Sequence, residues 1–309
     1  MPPPATVAEP DRTAPLPPIA TFDSTPPPAT AADEQRAKTD VRYTVKVVGL
    51  KEVDLETQFR ALSSLVEGGR KAANAAQVGA RADEDVQLIE RILRAEGYYD
   101  GVATSVVDPM PNEPGRVGVT LTATPGPRYN LGKIEVTGAE TTPPRLAYQA
   151  LDLQTGAPIA AATIQNAEAN VALRLPEQGY PFVNVGQRDV LLDSVTHIGD
   201  YTLPVDPGPR STFGGFQVAG DPVFGPDHIA LLARFKPGQL YDSRRVDDLR
   251  QALIATSLFS TVSVEPVRTG EAGPESTEIV DLLVRQNRGR ARTLAGELGY
   301  STGQGIRLE

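Results

Sequence analysis

One fourteen-residue frame is written twice in this chain. PGPRYNLGKIEVTG runs from Pro125 to Gly138, and PGPRSTFGGFQVAG runs from Pro207 to Gly220. The copies stand 82 residues apart, from Pro125 to Pro207, and a second feature keeps the same interval. EGYYDGVATSVV carries Gly-Tyr at Gly97, and QGYPFVNVGQRDV carries it at Gly179. A register held through two separate features marks tandem units, each of them one supersecondary piece. TSLFSTVSVEPV (Thr256–Val267) is a third, looser copy with Ser257 in the glycine slot. Three helix exits therefore precede three valine-rich runs, and the 309 residues divide into small domains.

Each unit reads in the same order. Tyr43–Val48 alternates and meets Gly49, as a strand meets a turn. Leu131–Thr137 and Phe213–Ala219 hold the same place before Gly138 and Gly220. A helical region follows. Val86, Ile89 and Leu93 recur at helical spacing, with Ile92 widening the stripe. Asp83, Glu84 and Asp85 are expected in the first turn of that helix, where carboxylates meet free amides. Gly97 suits the left-handed position after its end. Ile164, Ala167, Val171 and Leu175 form the second stripe, closed by Gly179. Val246, Leu249 and Leu253 form the third, introduced by Asp242-Ser243. Two strands come next: Val117, Val119, Leu121 and Ala123 alternate with polar residues, and Val280, Leu282 and Val284 mark the same strand in unit three.

The fold class is α+β, a βααββ module three times over. Pro-Gly-Pro stops the last strand of one module and makes a short, stiff joint to the next. Two positions depart from the pattern. Pro176, three residues before Gly179, is expected to end or bend its helix early. Ser257, if left-handed, carries strain of about 1 kcal/mol.

The βααββ order, the helix-ending Gly-Tyr and the PGPR frame resemble POTRA (polypeptide-transport-associated) domains. These precede the membrane barrel in the outer-membrane assembly superfamily that includes BamA, TamA and two-partner secretion transporters. The resemblance covers Tyr43 to Glu309, and three modules are more similar to the TamA branch than to the others. It implies a Pro-rich linker at 1–40, modules at 41–126, 127–208 and 209–287, and a junction with the first barrel strand at 288–309. Ten of the 28 prolines lie in the first 28 residues, a composition that does not repay ordering. At the other end, Leu294, Leu298 and Tyr300 share one face of an extended run, Ser301–Gly305 is a turn candidate, and Ile306 and Leu308 begin a second run. Such alternation is that of a transmembrane strand, and one hairpin cannot close a barrel.

Composition narrows the functional classes. Without cysteine there are no disulfides, thiolate metal sites or cysteine nucleophiles. A net charge of −9 argues against a general nucleic-acid binder. No apolar run approaches the ~18 residues of a membrane helix, and no basic stretch with an apolar run follows Met1, so a signal peptide is expected to be absent or removed. His197 and His228 read as a hairpin residue and a helix-start residue. Asp247-Asp248 and Glu84-Asp85 read as polar helix faces. Phosphate-loop, dinucleotide-loop, zinc-protease and hydrolase signatures are missing. No catalytic, metal or cofactor site is expected, and the chain is not read as an enzyme.

The resemblance implies instead that the second strand of each module is an open edge able to accept another chain's strand. Those edges are Val102–Val107, Val183–Val190 and Thr261–Val264, with Val102, Thr104, Val106, Val183, Val185, Val262 and Val264 as the candidate contacts. Implied partners are unfolded outer-membrane clients, autotransporters among them, and an inner-membrane-anchored TamB-like protein. The implied place is the periplasmic side of a Gram-negative outer membrane. Arg285, Arg288, Arg290 and Arg292 form a basic run, of which Arg288, Arg290 and Arg292 are candidates for contact with lipid phosphates at the membrane rim. Two other readings stay open: a structural periplasmic spacer, and the arm of a BamA-type or two-partner-secretion-type transporter.

Overall fold

The computed structural model describes residues 41–111, 113, 115–289, 298–301 and 305–308. The expectations for residues 1–40 and for Leu294, Arg290 and Arg292 lie outside the described residues.

Three sheets carry three separate cores. The first module contains β1 (Val41–Val48), α1 (Glu56–Leu62), α2 (Ser64–Glu67), β2 (Lys71–Ala72), α3 (Ala75–Ala95), β3 (Val102–Pro109) and β4 (Arg116–Thr124). The second contains β5 (Asn130–Thr137), α4 (Leu146–Leu151), α5 (Ala161–Glu177), β6 (Asn184–Val185), β7 (Asp189–Asp193) and β8 (Ile198–Asp206). The third contains β9 (Ser211–Gly220), α6 (Pro226–Leu232), α7 (Ser243–Ala255), β10 (Phe259–Ala272) and β11 (Glu278–Arg288). In each sheet the last strand lies inside, parallel to the first and antiparallel to the second. The orders are β2-β1-β4-β3, β5-β8-β6 with β7 also on β8, and β10-β11-β9.

Alternation decides which face is covered. In β4, Val117, Val119, Leu121 and Ala123 are buried while their neighbours are not. They pack on Phe59, Leu65, Ile89 and Leu93. Tyr129, Leu151, Val171 and Tyr201 fill the second core, and Phe213, Ile229, Leu253 and Val284 the third. Each such side chain contributes about 1.5–3 kcal/mol on burial.

The repeated frame has a geometric cause. A bulge interrupts β5 between Leu131 and Ile134, and a second interrupts the β11–β9 pairing at the matching place. Asp200 Oδ1 accepts the Lys133 amide at 2.8 Å, and Asp281 Oδ1 accepts the Gly215 amide at 2.7 Å. A Cβ on Gly132 or Gly214 would stand 2.5 Å from those same carboxylates. The closing Gly138 and Gly220 have φ of 133° and 91° and lie against the carbonyls of Val205 and Gln286. Only glycine fits such a position without strain.

The joints also repeat. Tyr129 and Ser211, each following PGPR, donate their amides to the carbonyls of Gly97 and Gly179, both at 2.8 Å. Tyr99 then packs on the second core and Phe182 on the third, so each module places one aromatic ring in the next. Arg128 Nε donates to the Glu96 carbonyl at 2.8 Å and secures the first joint.

Several expectations need correction. The α3 helix starts at Ala75, capped by Asn74, so Asp83, Glu84 and Asp85 lie in mid-helix. Nor is Asp85 on a polar face. It is fully buried and accepts the Ser63 hydroxyl at 2.5 Å and the Ser64 amide at 2.8 Å, capping α2 from another helix. Pro176 does not end α5 early: the helix continues to Glu177, because in the last turn only one backbone bond is lost. Module one adds α2 and the two-residue β2 to the plain βααββ order. Ser257 is left-handed, at φ 58°. His197, at φ 55°, turns the β7–β8 hairpin, and His228 lies in the first turn of α6. Near the end, β12 (Leu298–Ser301) pairs antiparallel with β13 (Gly305–Leu308).

Candidate strand-docking edges

The second strand lies at the outside in modules one and three, and split in two in module two. What such an edge can bind depends on which peptide groups point outward. In an antiparallel pair, residues alternate between bonding the partner strand and facing away from it.

Proline fixes the phase. In β10, Pro266 stands opposite Leu282 and has no N–H to give, so its backbone faces away from β11. The register is unbroken from Thr261 to Arg268, so Val262 and Val264 face away with it. Their partners agree: the carbonyl of Gln286, opposite Val262, turns to the far side and accepts the Asp221 amide at 2.8 Å. Among the described residues, Val262 and Val264 therefore have unpaired amides and carbonyls at the edge, while their side chains pack on the third core.

In module one the outward phase falls on the other residues of the strand. Pro109 stands opposite Val117, so the odd residues of β3 face outward: Ala103, Ser105, Val107 and Pro109. The Met110 amide, on the other phase, bonds the Arg116 carbonyl at 3.1 Å. The Ala103 amide is met by Glu90 Oε1 at 3.4 Å, which leaves Ser105 and Val107 open. Val102, Thr104 and Val106 have their peptide groups turned to β4 and their side chains on the uncovered sheet face, where Val102 is 54% exposed. Within the expected edge Val102–Val107, the contacts Val102, Thr104 and Val106 are its exposed side chains, and the outward backbone lies at Ser105 and Val107. Pro109 was the signal that locates it.

Module two has a broken edge. Val183 lies outside any strand, and Val185 is in the two-residue β6. The Gly186 amide bonds the Pro204 carbonyl at 2.8 Å, and Pro204 has no N–H to return. Pairing resumes only at Asp189. Arg188, in the gap, is tied to Glu168 of α5 at 2.8 Å. The other Glu168 oxygen accepts the Tyr201 hydroxyl at 2.7 Å, and burial first, then that carboxylate, pushes the Tyr201 pKa up. Both Val183 and Val185 pack on the second core.

Of the rim candidates, Arg288 ends β11 and its Nε stands 3.8 Å from Asp221. Among the described residues, no group of three or more His, Asp or Glu is arranged to hold a metal, and no helix is long and apolar enough to cross a membrane.

No family model matches the sequence. Among solved structures, the chain is similar to POTRA domains 3–5 of Haemophilus influenzae BamA: 20% identity, 82% of this chain and 98% of that one covered, TM-score 0.46. It is also similar to POTRA domains 1–3 of Omp85 from Anabaena, at 19% identity, with 82% and 98% covered and a TM-score of 0.35. CdiB from Escherichia coli is similar at 12% identity, with 75% and 40% covered and a TM-score of 0.26. These are likenesses, and none assigns a client or partner to this chain.

Proposed function

We propose that this chain is the periplasmic arm of an outer-membrane protein of the TamA type, which receives unfolded β-barrel clients by adding their strands to its sheets. Its modules follow the boundaries 41–126, 127–208 and 209–287, and a TamB-like protein docks on one of them. The observation that carries the reading is the pair of open edges at Ser105–Val107 and Val262–Val264, each outermost in its sheet. Backbone pairing gives affinity without demanding one sequence, which suits a receiver of many clients. The basic residues Arg288, Arg290 and Arg292 then lie at the membrane rim.

A photoreactive residue in place of Thr104 or Ser263 tests this in cells. Adducts with unfolded outer-membrane proteins support it; adducts with no such protein at either position exclude it.

A spacer function has one observation of its own, the repeated joints with their matched 2.8 Å bonds. It predicts that removing PGPR from one joint disturbs reach across the periplasm while edge substitutions do nothing.

A further inference from the structure

The two continuous edges carry the same interruption, a proline that closes β3 and stands inside β10. Along β3 the outward residues run Ser105, Val107 and end at Pro109, and along β10 they run Val262, Val264, Pro266 and, past the proline, Arg268. In both, two residues offer an amide and a carbonyl, and the third offers a carbonyl alone. The opposite ends are closed as well. Glu90 occupies the Ala103 amide, and β10 has a register shift between Phe259 and Thr261, where Ser260 Oγ bonds the carbonyls of Asn287 and Arg288 at 3.2 and 3.3 Å. A bulge of this kind ends regular pairing.

We propose that Pro109 and Pro266 are register-setting stops, which limit each docking edge to a window of five residues, Thr104–Asp108 and Thr261–Glu265. The proposal rests on the strand-docking reading above and specifies what can dock there. The occupant is an extended segment of another chain, alternating apolar and polar. Its apolar side faces the helix layer beside Val107 or Val264, and its polar side lies with Thr104 or with Thr261 and Glu265, which are exposed. Such a segment exchanges two bonds with each open residue and meets a missing donor at the proline. The fixed φ of proline and its ring oppose a further pair. Capture is therefore weak and short. A client strand of about 9–11 residues keeps part of its length free for transfer.

Fluorescent peptides of alternating Val and Thr, five, seven and nine residues long, test the stop by anisotropy with the purified chain. For the native chain, affinity should change less than twofold from five to nine residues. For the double variant Pro109→Thr/Pro266→Thr, it should rise about threefold to tenfold over that range, the effect of one regained hydrogen bond. A tenfold rise already present in the native chain overturns the proposal, as does a variant that keeps the native plateau. Sedimentation of the variant adds a check. If it forms dimers and the length series is unchanged, the prolines guard against self-pairing and set no register. The variant Val107→Pro/Val264→Pro separates the two claims. If it binds peptide as the native chain does, strand docking itself fails. If it binds nothing while the native series shows no plateau, only the stop fails. No binding by the native chain at any length overturns both.

Discussion

Gly138 and Asp85 show how differently two residues disclose themselves. Gly138 closes a frame visible in the sequence, and its role follows from φ of 133° against the Val205 carbonyl. Gly138→Ala should lower the stability of the second module by about 2 kcal/mol or more, read as a shifted denaturant midpoint. Asp85 sits among charged neighbours in a helical run, so sequence places it in water. Its actual partners, Ser63, Ser64 and Leu65, lie about twenty residues earlier and meet it only through the packing of α2 on α3. Asp85→Ala leaves those donors buried without an acceptor and should destabilise the first module by about 2–3 kcal/mol. Unchanged unfolding curves would contradict the assignment. A third residue reports on pH. The hydrogen bonds from Arg268, at 2.9 and 2.7 Å, hold the Glu278 pKa below the usual carboxylate range. A depressed carboxyl pKa contributes stability above the unfolded-state value, and that contribution is lost as pH falls through the folded value. The third module of Glu278→Gln should therefore lose less stability than the native one on acidification below about pH 4.5.

At the scale of the element, edge strands separate what sequence shows from what it hides. Valine-rich runs after Gly97, Gly179 and Ser257 announce three second strands, and two form as continuous strands. The third breaks at Gly186–Arg188 because Pro204, in a different strand, returns no amide. That is a property of pairing, which no single run displays. The phase of the open groups is hidden for the same reason until Pro109 and Pro266 are placed opposite their partners. The phase gives a sharp test on β10. Val264→Pro removes an outward amide and part of one side chain packed on the core, and should cost about 1 kcal/mol. Ser263→Pro, one residue away, removes an amide bonded to β11 and should cost about 3 kcal/mol or more. Equal losses in thermal or denaturant unfolding would show that the phase is wrong.

Across the whole molecule, the 82-residue register is the most legible feature because it is repeated at every level. The closing glycines Gly138 and Gly220, the bulges after Leu131 and Phe213 and the joint hydrogen bonds of Tyr129 and Ser211 all keep it. The rings at the joints are less legible: Tyr99 and Phe182 read as ordinary strand-entry aromatics, yet each packs on the next module's core. Phe182→Ala should widen the distance distribution between spin labels on modules two and three while leaving α5 helical. An unchanged distribution would place the stiffness of that joint in PGPR alone. The central claim is that extended chains dock on the strand edges of modules one and three. Its most direct measurement is crosslinking of an alternating Val–Thr peptide to the purified chain, with a photoreactive group in turn at Thr104, Ser263 and the exposed helix residue Leu173. Adducts are expected at Thr104 and Ser263, lost on Val107→Pro and Val264→Pro respectively, and none at Leu173. Equal labelling at all three positions, or adducts that survive both prolines, would contradict it.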